Sequence, residues 1–104
     1  MAQFDLYRNP NPETNIFIPY LLDVQADLLD VLATRVVAPL HTLESISKPL
    51  RHLNPVLEIN GEKFVLSTAE LAAVSVGVLG EPAGNVRSDR DEIIAALDFL
   101  FTGI

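Results

Sequence analysis

The sequence predicts a mainly β fold closed by one C-terminal α-helix, and three observations predict it. "VLEINGEKFVLS" holds Asn60-Gly61 between two alternating stretches, as a tight hairpin requires. Several other short segments are rich in Val, Leu or Phe and end in Pro or Gly. After Ser88 the apolar residues Ile93, Ile94, Leu97, Leu100 and Phe101 recur at helical spacing. Five or six short strands followed by one amphipathic helix make an all-β, barrel-like core with a helix laid on it.

Taken in order, "QFDLY" alternates: Phe4 and Leu6 share one face, while Gln3, Asp5 and Tyr7 share the other, which predicts a half-buried strand. "RNPNPETN", with Pro10 and Pro12, is a loop. In "IFIPYLLDVQADLLD" the first half is apolar and branched, and Pro19 restricts it to an edge or a bulge. "VLATRVVAPL" reads as a Val-rich strand with Pro39 near its end. Ser67 and Glu70 in "STAEL" have the spacing of a capping box, enough for one helical turn. "AAVSVGVLGEP" returns to strand character and stops at a turn over Gly80 to Pro82. For the final helix Ser88 is the expected N-cap, with Asp89, Asp91 and Glu92 at the positive end of the dipole and Gly103 at the C-cap.

A chain of 104 residues has the length of one domain, 1–104, and 49% hydrophobic residues suffice for a folded core. Cysteine is absent, so disulfides and thiolate metal sites are excluded. The start lacks the pattern of a signal peptide and no apolar run is long enough to span a membrane, so a soluble, cytoplasmic protein is expected. Fourteen acidic against seven basic residues give a net charge of −7. Such a chain offers no basic stripe for phosphates, so direct nucleic-acid or membrane binding is disfavoured and a protein partner is expected.

Catalytic patterns are sparse. His41 and His52 have no metal-ligand spacing and read as surface or loop histidines; no metal or cofactor is expected. Ser45, Ser47, Ser67 and Ser75 lack a nucleophile-elbow context. Asp23, Asp27 and Asp30 could act as paired carboxylates for acid–base work or metal binding. More often such carboxylates are simply the solvated side of an amphipathic segment, whose apolar side here is Leu22, Val24, Leu28 and Leu29. The terminal "FLFTGI" is unusually apolar for a chain end. Gly103 either caps the helix while Ile104 tucks inward, or lets the backbone approach a partner closely.

Four segments together resemble the CcdB family of bacterial toxins: "QFDLYRN", "LLDVQADLLD", "LNPVLEINGEKFVLSTAELAAVSVGVLGEP" and "IIAALDFLFTGI". The resemblance implies a small SH3-like barrel of the CcdB–MazF type, homodimeric, whose paired C-termini enter the DNA gyrase A subunit dimer and trap gyrase on cleaved DNA. It implies a cognate CcdA-like antitoxin that neutralises the toxin and joins it in repressing their operon. The gyrase-binding residues would be Asp98, Phe101, Thr102, Gly103 and Ile104, with Leu28 beside the tip. The dimer would bury part of "LAAVSVGVLG" and the region near the helix terminus. The best-known members carry Trp where this chain has Thr102, which exchanges a ring stacked on a gyrase arginine for a hydroxyl that can accept a hydrogen bond. Two other readings are an endoribonuclease of the MazF type, with Thr34, Arg35, Arg51 and His52 as its candidates, and a homologue that keeps antitoxin binding alone.

Overall fold

The computed structural model describes residues 1–46 and 48–103. Among them run seven strands: β1 (Asp5–Arg8), β2 (Tyr20–Asp23), β3 (Thr34–Thr42), β4 (Val56–Ile59), β5 (Glu62–Leu66), β6 (Ala72–Ser75) and β7 (Pro82–Asn85). The single α-helix, α1 (Arg90–Thr102), follows them. The sheet order is β4-β5-β3-β2-β1-β7, with β6 beside β3, and every pairing is antiparallel. Residues of β4 and β7, the two edges of that path, line one small cavity of about 170 Å³, so the sheet curls into a half-barrel.

The long strand β3 organises this sheet. Its first half pairs β6, from Thr34↔Ser75 to Val37↔Ala72, and its second half pairs β5, from Leu40↔Leu66 to Thr42↔Phe64. Pro39 falls at the handover, where its carbonyl accepts the Ser67 amide at 2.9 Å. A residue's N–H and C=O point to the same edge of an extended strand, so the missing Pro39 donor coincides with the gap between β5 and β6. A proline is therefore tolerated well inside a central strand, where it would ordinarily break the ladder.

The Asn60-Gly61 hairpin forms as expected: Ile59 pairs Glu62, and both turn residues have positive φ, 52° and 84°. This is the type I′ geometry that suits a right-handed strand twist. The core gathers Phe4, Leu6, Leu22, Val24, Ala38, Leu40, Leu57, Ile59, Phe64, Leu66 and Val86 from the strands and their flanks, and Ile93 from α1. Tyr20 meets Phe64 edge-on at 5.3 Å.

Several local expectations are corrected. β7 forms where only a turn was expected, because β1 offers it an open edge. The expected strand through "AAVSVGVLGEP" breaks after Ser75 into a 3-10 turn over Val76–Val78, and Gly80 then passes against the Arg8 carbonyl with no room for a Cβ. Pro19 ends a loop, and β2 behind it lies inside the sheet between β1 and β3 rather than at an edge. The Ser67–Glu70 pair marks a single 3-10 turn at Thr68–Glu70, with no side-chain cap. Ser88 sits within another such turn, Arg87–Asp89, so α1 begins two residues later. Tyr7, expected on the outer face, is buried.

Candidate partner-binding surface

Helix α1 is docked unevenly. Ile93 and Ala96 are buried, and Ile94 and Leu97 pack half-buried against the core. Phe99 lies 6.1 Å from the His52 ring. The apolar stripe was expected to be mostly core through Phe101, yet Phe101 is 72% exposed. The helix leans on the sheet by its first turns and projects its last one, so the periodicity holds while the surface to cover runs out.

The tip is built by backbone geometry. Gly103 adopts φ 74°, the left-handed C-cap conformation, and its N–H donates to the Phe99 carbonyl at 2.9 Å. One residue earlier, the Thr102 hydroxyl donates to the Asp98 carbonyl at 2.6 Å. That bond uses the only proton on Thr102 Oγ1 and leaves its lone pairs free to accept. Asp98, Phe101, Thr102 and Gly103 are all exposed. No basic residue lies in the last turn, and among the described residues no ion pair reaches the Asp98 carboxylate, which stands near the negative end of the helix dipole. Ile104 lies outside the described residues.

Leu28 belongs to a different element, the 3-10 turn Asp27–Leu29 after β2. No hydrogen bond among the described residues joins that turn to the helix tip. Leu28 and Val31 are each 92% exposed, and Leu29 and Leu32 are half-exposed. The expectation that Leu28 and Leu29 form the buried side of this segment is therefore overturned.

Of the three carboxylates expected on the solvated side, Asp27 and Asp30 are exposed and Asp23 is not. Asp23 is fully buried, and its Oδ2 accepts from Arg35 Nε at 2.7 Å; Arg35 is fully buried too. Arg35 Nη1 donates onward to Asp30 Oδ1 at 3.2 Å. The hydrogen bond to Asp23, with the charges of both aspartates, holds the guanidinium above its ordinary pKa. Tyr7 lies beside this pair: burial, aided by Asp5 and Asp23, pushes its hydroxyl up to about 12. Asp27 accepts the Gln3 amide at 2.8 Å and does not join a carboxylate pair. Nothing in the spacing of Asp23 pointed to Arg35; only the β2–β3 pairing brings them together.

Another polar chain was not foreseen. His41, half-buried in β3 rather than in a surface loop, places Nε2 2.8 Å from Glu70 and Nδ1 3.5 Å from the Ser45 hydroxyl. Chiefly the Ser67 hydrogen bond, and then His41, hold the Glu70 carboxyl below its usual pKa. Ser45 borders a cleft of about 490 Å³ with Phe17, Leu43, Lys63 and Phe64. Its hydroxyl is drawn to the Thr42 carbonyl at 3.0 Å and the Phe17 carbonyl at 3.3 Å, so it ties a turn to the neighbouring loop. Among the described residues no cluster of three or more His, Asp or Glu side chains could hold a metal, and no helix is long and apolar enough to cross a membrane.

A curled antiparallel sheet carrying one terminal helix is shared with a solved toxin–antitoxin protein. An endoribonuclease in complex with its cognate antitoxin, from a mycobacterial species, superposes with a TM-score of 0.77 at 13% identity, covering 97% of this chain and 94% of that one. At that identity the likeness is one of fold. The family assignment comes from the sequence itself: the CcdB protein family model matches residues 3–103, and the chain belongs to the CcdB family. It is thus a toxin of a toxin–antitoxin system.

Proposed function

We propose that this protein is a gyrase poison that acts by binding and not by catalysis. Phe101, Asp98, Thr102 and Gly103, with Ile104 and the Leu28 turn, form the surface that enters the DNA gyrase A subunit dimer and stabilises the cleaved DNA complex. The observation that carries this reading is the exposure of Phe101 on a helix whose other large apolar residues are covered or half-covered. A large aromatic ring displayed beside an uncompensated carboxylate suits a partner that brings an arginine, since the two can share one guanidinium. The protein works as a homodimer in the cytoplasm, as one domain, and a CcdA-like antitoxin neutralises it. Val76 and Val78, which stay exposed after β6, support the dimer face expected there.

The fold neighbour favours a second reading, an endoribonuclease. Of the four candidates for that chemistry, Arg35 is enclosed by Asp23 and Asp30 and does not reach solvent, while Thr34, Arg51 and His52 remain exposed. A net charge of −7 also works against holding a polyanion. The test is a gyrase–DNA cleavage assay with the full chain and with a copy lacking Gly103 and Ile104, beside an RNA-cleavage assay. Double-strand breaks from the full chain alone support the gyrase reading. RNA cleavage without gyrase-dependent breaks replaces it with the ribonuclease, and neither activity from a folded protein leaves antitoxin binding alone.

A further inference from the structure

The turn between β2 and β3 is built inside out. Surface turns are commonly held by polar side chains bonded to the backbone, but their large apolar side chains ordinarily pack inward. Here Leu28 and Val31 are 92% exposed, and the polar side chains do the holding. Asp23 Oδ1 accepts the Gln25 amide at 3.0 Å. The buried Gln25 accepts the Val36 amide and donates to the Leu29 carbonyl, both at 3.0 Å. Arg35 reaches from Asp23 to Asp30, across the base of the turn. On the far side Asp27 takes the Gln3 amide at 2.8 Å, and Gln3 Nε2 reaches the Val24 carbonyl at 3.2 Å. Next to Gln3, Phe4 is a buried ring held at φ 71°, a left-handed conformation costly for a bulky residue and tolerated where surrounding structure imposes it.

Fold stability is a poor explanation for this hub. A buried ion pair seldom outperforms well-packed apolar residues, and Arg35 Nη2 is buried with no partner among the described residues. What the hub does accomplish is to tie the turn to β2 and β3 at Gln25, Leu29 and Asp30. We infer that Asp23, Gln25, Arg35 and Asp30 are positioning residues that present Leu28 and Val31 as rigid apolar contacts, so that a partner need not order the turn on binding. This rests on the reading of Leu28 as part of the gyrase-binding surface.

The test uses the full chain with Asp30→Ala, Asp30→Asn and Leu28→Ala. Asp30 is the partly exposed end of the hub, and without it Arg35 keeps its ion pair with Asp23, so its loss costs far less than the loss of Asp23. Amide exchange over residues 26–32 is measured on the free protein, and the half-maximal concentration is measured in the gyrase cleavage assay. Asp30→Ala is expected to speed turn exchange and to raise the half-maximal concentration about fivefold, with maximal cleavage and the thermal midpoint close to wild type. Asp30→Asn, which keeps an acceptor oxygen, recovers most of both. Leu28→Ala raises the half-maximal concentration with turn exchange unchanged. Unchanged exchange in Asp30→Ala overturns the inference, and so does faster exchange with an unchanged half-maximal concentration. If the wild-type chain fails to act on gyrase, that reading alone falls: faster exchange in Asp30→Ala still supports the hub as the holder of the turn, and unchanged exchange still overturns it.

Discussion

Asp23 and Asp98 each sit between two apolar neighbours, Leu22 and Val24 in one case, Leu97 and Phe99 in the other, and the fold treats them oppositely. Asp23 is fully buried and bonded to an equally buried arginine. Asp98 stands in water with no basic residue in its turn. The first charge is answered within the chain by a residue twelve positions on, and serves to shape a neighbouring turn. The second is left unanswered, at the negative end of a helix dipole, where it is available to a cation from outside. Internal compensation marks structure; its absence at an exposed apolar tip is what the proposed gyrase contact draws on.

That contrast can be broken by removing either member. Asp23→Ala strands the Arg35 guanidinium in the core and is expected to cost about 3–5 kcal/mol by chemical denaturation. Asp98→Ala, which strands nothing, should move stability by less than about 0.5 kcal/mol while weakening gyrase binding. Equal costs would erase the distinction.

The environment of Asp23 can be sharpened through Tyr7. Its folded-state pKa is raised to about 12, above the ordinary 10, so the unfolded chain loses the tyrosine proton first. The stability it confers is complete below pH 10 and is lost as pH rises towards 12. The loss should reach about 2–3 kcal/mol, at 1.36 kcal/mol per unit of pKa difference. Tyr7→Phe should flatten that part of the stability profile, and an unchanged slope would mean that burial beside Asp5 and Asp23 does not hold the Tyr7 proton.

At the tip the effect is smaller. Gly103→Ala meets nothing within 4 Å of its new Cβ, so only the left-handed φ of 74° opposes it, a cost of about 1 kcal/mol in thermal unfolding. A much larger loss would show that the tip packs more tightly than its exposure indicates.

How much of this was legible depends on the range of the forces involved. The hairpin at Asn60-Gly61, the Gly103 cap and the inward face of α1 at Ile93 follow from local geometry, and each appears where the residue pattern places it. β7 was hidden because a Pro-Ala-Gly-Asn segment has little strand preference of its own and pairs only because β1 needs a neighbour. Asp23 was misplaced on the solvated side because burying a carboxylate depends on Arg35, which no periodicity reports. Phe101 continues the helical stripe faultlessly, and only the extent of the sheet beneath decides that it is uncovered. The candidate site was approached through family resemblance for the same reason: an exposed ring is a fact about what is missing around it.

The most direct test of the account is Phe101→Ala, with the thermal midpoint and gyrase-dependent DNA cleavage measured on the same preparation. Because Phe101 is 72% exposed, the midpoint should stay within the shift that about 0.5 kcal/mol produces, while cleavage falls away. Full cleavage by the variant, or a midpoint lowered as by a core truncation, would contradict the claim that the projecting helix tip is the working surface.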